Sequence, residues 1–158
     1  MSPQSSISDI DYRLNMDFDR PVSIRPGQND WIASPADGVL RIPLERLSPE
    51  SGHKTSFVRF KPESYFPAHA HPHGEEIYVL EGVFSDQYGD YPQGTYLRNP
   101  PGSSHKPFSK EGCTLFVKLD QFHPDDTKNV VLRPEDQVWL PDPRREYSAQ
   151  HAPGTSVV

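Results

Sequence analysis

The densest chemistry in the sequence lies in FPAHAHPHGEE, residues 66–76, where His69, His71 and His73 are followed by Glu75 and Glu76. Imidazole and carboxylate together suit a divalent cation of borderline hardness. The single cysteine, Cys113, offers no internal disulfide and no CxxC pair for a thiolate zinc site. On an extended segment His69 and His71, two residues apart, point to the same side, so they form a two-toothed clamp. His73 shares that parity, but Pro72 and Gly74 flank it and predict a turn. After the turn, parity alone leaves two alternatives. With Glu75 inward, Ile77 and Val79 are also inward; with Glu76 inward, Tyr78 and Leu80 are. Both faces are apolar enough to be buried.

Positioning such a clamp requires a rigid frame, and the rest of the chain predicts one made of strands. The 158 residues suit one domain. Eighteen prolines and ten glycines are scattered along it, which leaves little room for long helices. Short strand candidates recur between turn signals: GVLRIPL, TSFVRF (55–60), YFPAHAH, EEIYVLEG, VFSDQY, TYLRN, HKPFS and CTLFVKL (113–119). In the last of these, Cys113, Leu115, Val117 and Leu119 alternate with more polar neighbours, and Cys113 reads as a small buried hydrophobe. Gly82, Gly94 and Gly102 read as turn and bulge positions. VVLRPEDQVWLP adds one or two edge strands, and SAQHAPGTSVV reads as a frayed tail. The expected organisation is an all-β antiparallel barrel or sandwich: a polar arm over residues 1–30, a barrel core over 31–122, and edge strands with a tail over 123–158.

Net charge is −6, and Lys and Arg form no run, so nucleic acid is not an expected partner. No apolar stretch reaches the length of a membrane span, and the N-terminus lacks the basic and apolar regions of a secretory signal. The expectation is a soluble, cytoplasmic protein with a small-molecule substrate or ligand and no membrane partner.

Two spaced motifs carry a resemblance. From His69 the chain reads H-x-H, three residues, Glu75, six residues, Gly82. From Gly94 it reads five residues, Pro100, Pro101, Gly102, two residues, His105. This resembles the two motifs of the cupin superfamily, and residues 53–122 are similar to the cupin domain of ChrR-type anti-sigma factors and to acetylacetone-cleaving dioxygenases. The resemblance implies a double-stranded β-helix, or jelly-roll, barrel. It implies one divalent ion per chain, Fe2+ or Zn2+ first with Mn2+ or Ni2+ behind them, held by His69, His71, Glu75 and His105. His73 and Glu76 then read as residues at the rim of the site or behind its ligands. Departures are Glu63 at the first motif glycine, Ser109 at the final asparagine, and a short stretch between motifs, residues 83–93, that implies a tight hairpin. The N-terminal stretch has no cysteine and no helical pattern, so anti-sigma activity is not an expectation. The resemblance implies either an oxygenase-type enzyme acting on an enolisable carbonyl or diketone, or a non-catalytic zinc-binding sensor module. It also implies a homodimer.

Overall fold

The computed structural model describes residues 13–47 and 52–138. Among them the chain forms twelve strands and one short 3-10 turn. The strands are β1 (Ile32–Ala33), β2 (Val39–Arg46), β3 (Lys54–Phe60), β4 (Ser64–Tyr65), β5 (His69–His71), β6 (Glu75–Asp86), β7 (Gly89–Pro92), β8 (Tyr96–Asn99), β9 (Ser103–His105), β10 (Phe108–Ser109), β11 (Cys113–Leu119) and β12 (Val130–Leu132). Every pairing is antiparallel, and the sheet curls into a half-barrel. No helix among the described residues is long and apolar enough to cross a membrane.

The large layer runs β1-β2-β3-β11-β6-β8-β12, and the small one runs β4-β10-β6-β7. β6 belongs to both. EEIYVLEG and VFSDQY, expected as separate strands, are one strand of 12 residues. Two local features let it pass from one layer to the other. Leu80 is an extra residue against β11, where Thr114 pairs with Glu81 and Leu115 with Val79. Gly82 follows with φ of 71°, and a Cβ there would sit against the Gly112 carbonyl oxygen, inside any van der Waals contact. The short stretch between the two motifs is a tight hairpin, with Asp86 opposite Gly89.

Register fixes which side chains share the concave face. One row across the large layer reads Arg46, Lys54, Leu119, Glu75, Asn99. The next reads Pro43, Ser56, Val117, Ile77, Leu97, and a third reads Arg41, Val58, Leu115, Val79. The inner rows are closed by Phe60, Phe84 and Tyr91 from the rest of the core. Burial of each large apolar side chain contributes about 1.5–3 kcal/mol. Polar residues gather in the first row, at the mouth.

The outer face carries a second apolar set. Phe57 and Phe116 meet edge to face at 5.9 Å, and Arg59 lies 4.1 Å over the Trp31 ring. The described part of the arm runs beside this face. Leu14 bridges to Arg46, and Asn15 Nδ2 donates to the Leu44 carbonyl at 2.7 Å. Of VVLRPEDQVWLP, Val130–Leu132 pairs with β8 as an edge strand and Pro134–Asp136 forms the 3-10 turn. Residues 1–12 of the expected arm and the expected tail from Trp139 onward lie outside the described residues.

Candidate metal centre

β5 and β9 pair only with each other, at the barrel mouth. Their register sets His69 directly opposite His105 and His71 opposite Ser103. His69 and His71, on one face of β5, therefore meet His105 from β9. One nitrogen from each of the three rings lies within 4.8 Å of the others. Glu75 joins from the start of β6, with Oε2 at 3.2 Å from His71 Nε2 and 3.4 Å from His105 Nε2. The parity left open by sequence is resolved by burial: Glu75 is 6% exposed, with Ile77 and Val79 on its side, while Tyr78 is 38% exposed.

The turn that delivers Glu75 is set by Gly74. Its N–H donates to the His71 carbonyl, its φ is 86°, and a Cβ would collide with the Phe122 ring. This return of the chain brings the Glu75 carboxyl to His71 Nε2.

The protonation states favour lone pairs toward the centre. Burial, then the neighbouring His105 and His69, pushes the His71 imidazole down to about 3. Burial also lowers His69, partly offset by its bond to a carbonyl. That bond runs from His69 Nδ1–H to the Pro67 carbonyl at 2.8 Å, which fixes the tautomer and leaves Nε2 as the basic nitrogen. Burial pushes the Glu75 carboxyl up, against the favourable pull of His105 and the bond from Asn99. Burial thus favours neutral imidazoles at His69 and His71 beside a desolvated Glu75 carboxyl.

Spacing tests whether a metal fits. Two ligands each about 2.1 Å from one ion lie about 3.0 Å apart at right angles and about 3.4 Å apart at the tetrahedral angle. His71 Nε2 and His105 Nε2 are 3.0 Å apart, and the two imidazole–Glu75 separations are 3.2 and 3.4 Å. Those values suit one ion shared by the three groups, with His69 adjoining. The donor set is nitrogen and oxygen, appropriate to Fe2+, Zn2+, Mn2+ or Ni2+.

Two groups support these residues that sequence reading missed. Asp86, at the far end of β6, places Oδ2 3.6 Å from His105 Nδ1. That is longer than a hydrogen bond, and the buried Nδ1 has no nearer partner. Asp86 also accepts from Tyr88 N–H at 2.8 Å and Tyr91 O–H at 3.1 Å. Burial would raise its carboxyl, but His105 and these donors hold it low. Asn99 Nδ2 donates to Glu75 Oε2 at 3.2 Å. Asn99 could have been found only through the register that sets it opposite Glu75. Asp86 was hidden because the extra residue at Leu80 reverses parity midway along β6.

His73 and Glu76 are not brought to the imidazoles. His73 is exposed in the turn. Glu76 is half-buried and accepts from Tyr96 O–H at 2.6 Å. Cys113 is buried, and burial pushes its thiol up to about 11, as expected of a packed hydrophobe.

His69, His71, Glu75 and His105 all line a cavity of about 300 Å³ inside the half-barrel. Its walls are apolar, with Val58, Phe60, Phe66, Phe84 and Leu115 among them. Larger clefts of about 540 and 570 Å³ lie between the arm and the outer face, on the opposite side of the sheet. Among the described residues they hold no metal-ligating cluster.

A curled antiparallel half-barrel with histidines from two short strands at its mouth defines a cupin, with a candidate metal centre. The profile of the ChrR cupin-like domain matches residues 19–123, and the chain belongs to that family. Solved structures share the fold. An acetylacetone dioxygenase from Acinetobacter johnsonii is 19% identical, with a TM-score of 0.58, covering 77% of this chain and 92% of its own. A candidate acetylacetone dioxygenase from Methylibium petroleiphilum PM1 is 20% identical, with a TM-score of 0.58, covering 74% and 91%. The Rhodobacter sphaeroides complex of SigE with the anti-sigma ChrR matches at 19% identity and a TM-score of 0.50, over 61% of this chain and 52% of that chain. No curated protein matches the sequence.

Proposed function

We propose that the protein is a mononuclear metal enzyme of oxygenase type, acting on an enolisable carbonyl or diketone-like small molecule. The observation that carries this reading is the open cavity beside the His69–His71–Glu75–His105 cluster, with room for a small organic molecule against the ligand atoms. A divalent ion held there supplies Lewis acidity toward a carbonyl and, if redox-active, electron transfer with dioxygen. The residues of the chain supply the rest. Phe60, Phe66 and Phe84 exclude water and hold an apolar skeleton. His69 keeps its basic nitrogen toward the centre through Pro67, and Asn99 orients Glu75. The test is oxygen uptake by the iron-loaded protein on a panel of short β-diketones. Uptake no greater than that of metal-free protein across the panel sinks the reading.

A second reading is supported by the ChrR cupin-like family match: a non-catalytic zinc-binding sensor or regulatory module. It requires a closed tetrahedral ion with no bound water. Metal analysis with X-ray absorption separates the two, because six light-atom ligands with exchangeable waters exclude the closed site. In either case we propose a cytoplasmic homodimer. Light scattering on the eluting protein tests the oligomeric state, with a mass of one chain refuting it.

A further inference from the structure

The cavity has a charged end that the metal cluster does not account for. Arg41 and Lys54 both line it. Register places their side chains on the concave face, with Lys54 in the same row as Glu75, two strands and about 10 Å away across the sheet. Arg41 is the more telling of the two. It is only partly exposed, and its Nε donates to Ser34 Oγ at 2.6 Å. That bond locks one edge of the guanidinium. Among the described residues no carboxylate forms an ion pair with it.

Burying a guanidinium without a counter-ion is costly. Burial and then Arg46 depress the Arg41 guanidinium. The carboxylates on the cavity wall are Glu75, which faces the imidazoles, and Asp120, which accepts from Gly52 N–H at 2.9 Å. Asp120 acts electrostatically on Lys54 rather than on Arg41.

We propose that Arg41 is the anion-anchoring subsite of this cavity, and that the small molecule bound there carries a carboxylate as well as its carbonyl. This deepens the substrate class of the proposed function and rests on it for the carbonyl end only. A planar guanidinium fixed at Nε presents its remaining N–H groups as a fork matched to a carboxylate. The apolar walls between the two ends fit a short carbon skeleton. The volume, about 300 Å³, lies at the lower end of small-molecule sites and suits a short keto acid better than a large ligand.

The test compares two ligands of nearly equal shape, acetoacetate and acetylacetone, in which a carboxylate oxygen replaces a methyl group. Binding to the metal-loaded protein is measured anaerobically by calorimetry, so turnover is not the readout. The expected result is affinity for acetoacetate greater by about ten-fold to a hundred-fold, the range for a charge-assisted pair. Arg41→Gln is expected to remove that preference while metal content, set by β5, β6 and β9, stays at the wild-type level. Arg41→Lys, which keeps the charge and lacks the fork, is expected to fall between. Equal affinity for the two ligands, or tighter binding of acetylacetone, overturns the proposal without requiring any variant. A preference that survives unchanged in folded Arg41→Gln overturns the assignment to Arg41. Anion preference without oxygen uptake on any ligand leaves the anchor standing and removes the oxygenase reading, so the two failures are distinguishable.

Discussion

The metal-free protein is expected to lose stability steeply as pH falls from neutral, and His71 sets the size of the effect. Its imidazole is 5% exposed and held down to about 3, against an ordinary value of 6.5. Between those values the unfolded chain takes up a proton at this site that the folded chain refuses. The unfolded state therefore binds more protons, and stability rises with pH through this window and is lost as pH falls through it. The full gap corresponds to roughly 5 kcal/mol, with a limiting slope of about 1.4 kcal/mol per pH unit. His69 is lowered as well and adds in the same direction. Glu75 works the other way. Its raised carboxyl takes up a proton more readily when folded, which returns up to about one proton's worth between 4.5 and its own folded value. The assay is urea unfolding of metal-free protein at intervals from pH 7.5 to 4.5, on wild type and His71→Gln. The variant is expected to show a slope shallower by about one proton over pH 6 to 4.5. Identical slopes refute the claim that His71 is a buried neutral imidazole in the folded protein.

Other consequences are more local. His105→Ala is expected to abolish stoichiometric metal retention, checked by metal analysis after dialysis, although His105 lies 36 residues from His69 in the chain and meets it only through β5–β9 pairing. Asp86→Asn keeps an oxygen for Tyr88 N–H and Tyr91 O–H but removes the charge beside His105. Metal affinity should fall about ten- to a hundred-fold with the fold intact, measured by competition with a chelating dye. Gly82→Ala forces a methyl group onto the Gly112 carbonyl and a side chain into φ of 71°, and should cost about 2–4 kcal/mol in denaturant unfolding.

Much of this architecture was legible because local signals agreed. CTLFVKL is a strand over its whole expected length, and its alternation places Leu115 and Val117 in the core. The H-x-H pair could be placed on one face because only residue parity was needed. What escaped depended on distant pairing. Strand parity could not choose between Glu75 and Glu76; the motif spacing pointed to Glu75, and the packing of β6 against β11 and β8 is what turns it inward. Asp86 needed the bulge at Leu80, which no composition rule locates. Arg41 sits in GVLRIPL as one charge in an apolar strand, and only the curl of the sheet turns it toward the histidines. Joining EEIYVLEG to VFSDQY failed in sequence because a glycine that lets a strand bend looks the same as one that ends it.

The β5–β9 pairing also has a consequence for how the protein acquires its ion. His69, His71 and Glu75 lie within seven residues, so a disordered chain already offers them together as a weak chelating peptide. His105 joins only after a loop of more than thirty residues has closed, which is entropically costly and slow in a fold built from long-range strand contacts. Added metal therefore stabilises the native state by less than its native affinity suggests, because part of that affinity is already present before folding. Refolding in the presence of the ion is accordingly a race between early capture by the first motif and late closure by the second, and the rate of that closure sets how soon the complete site exists.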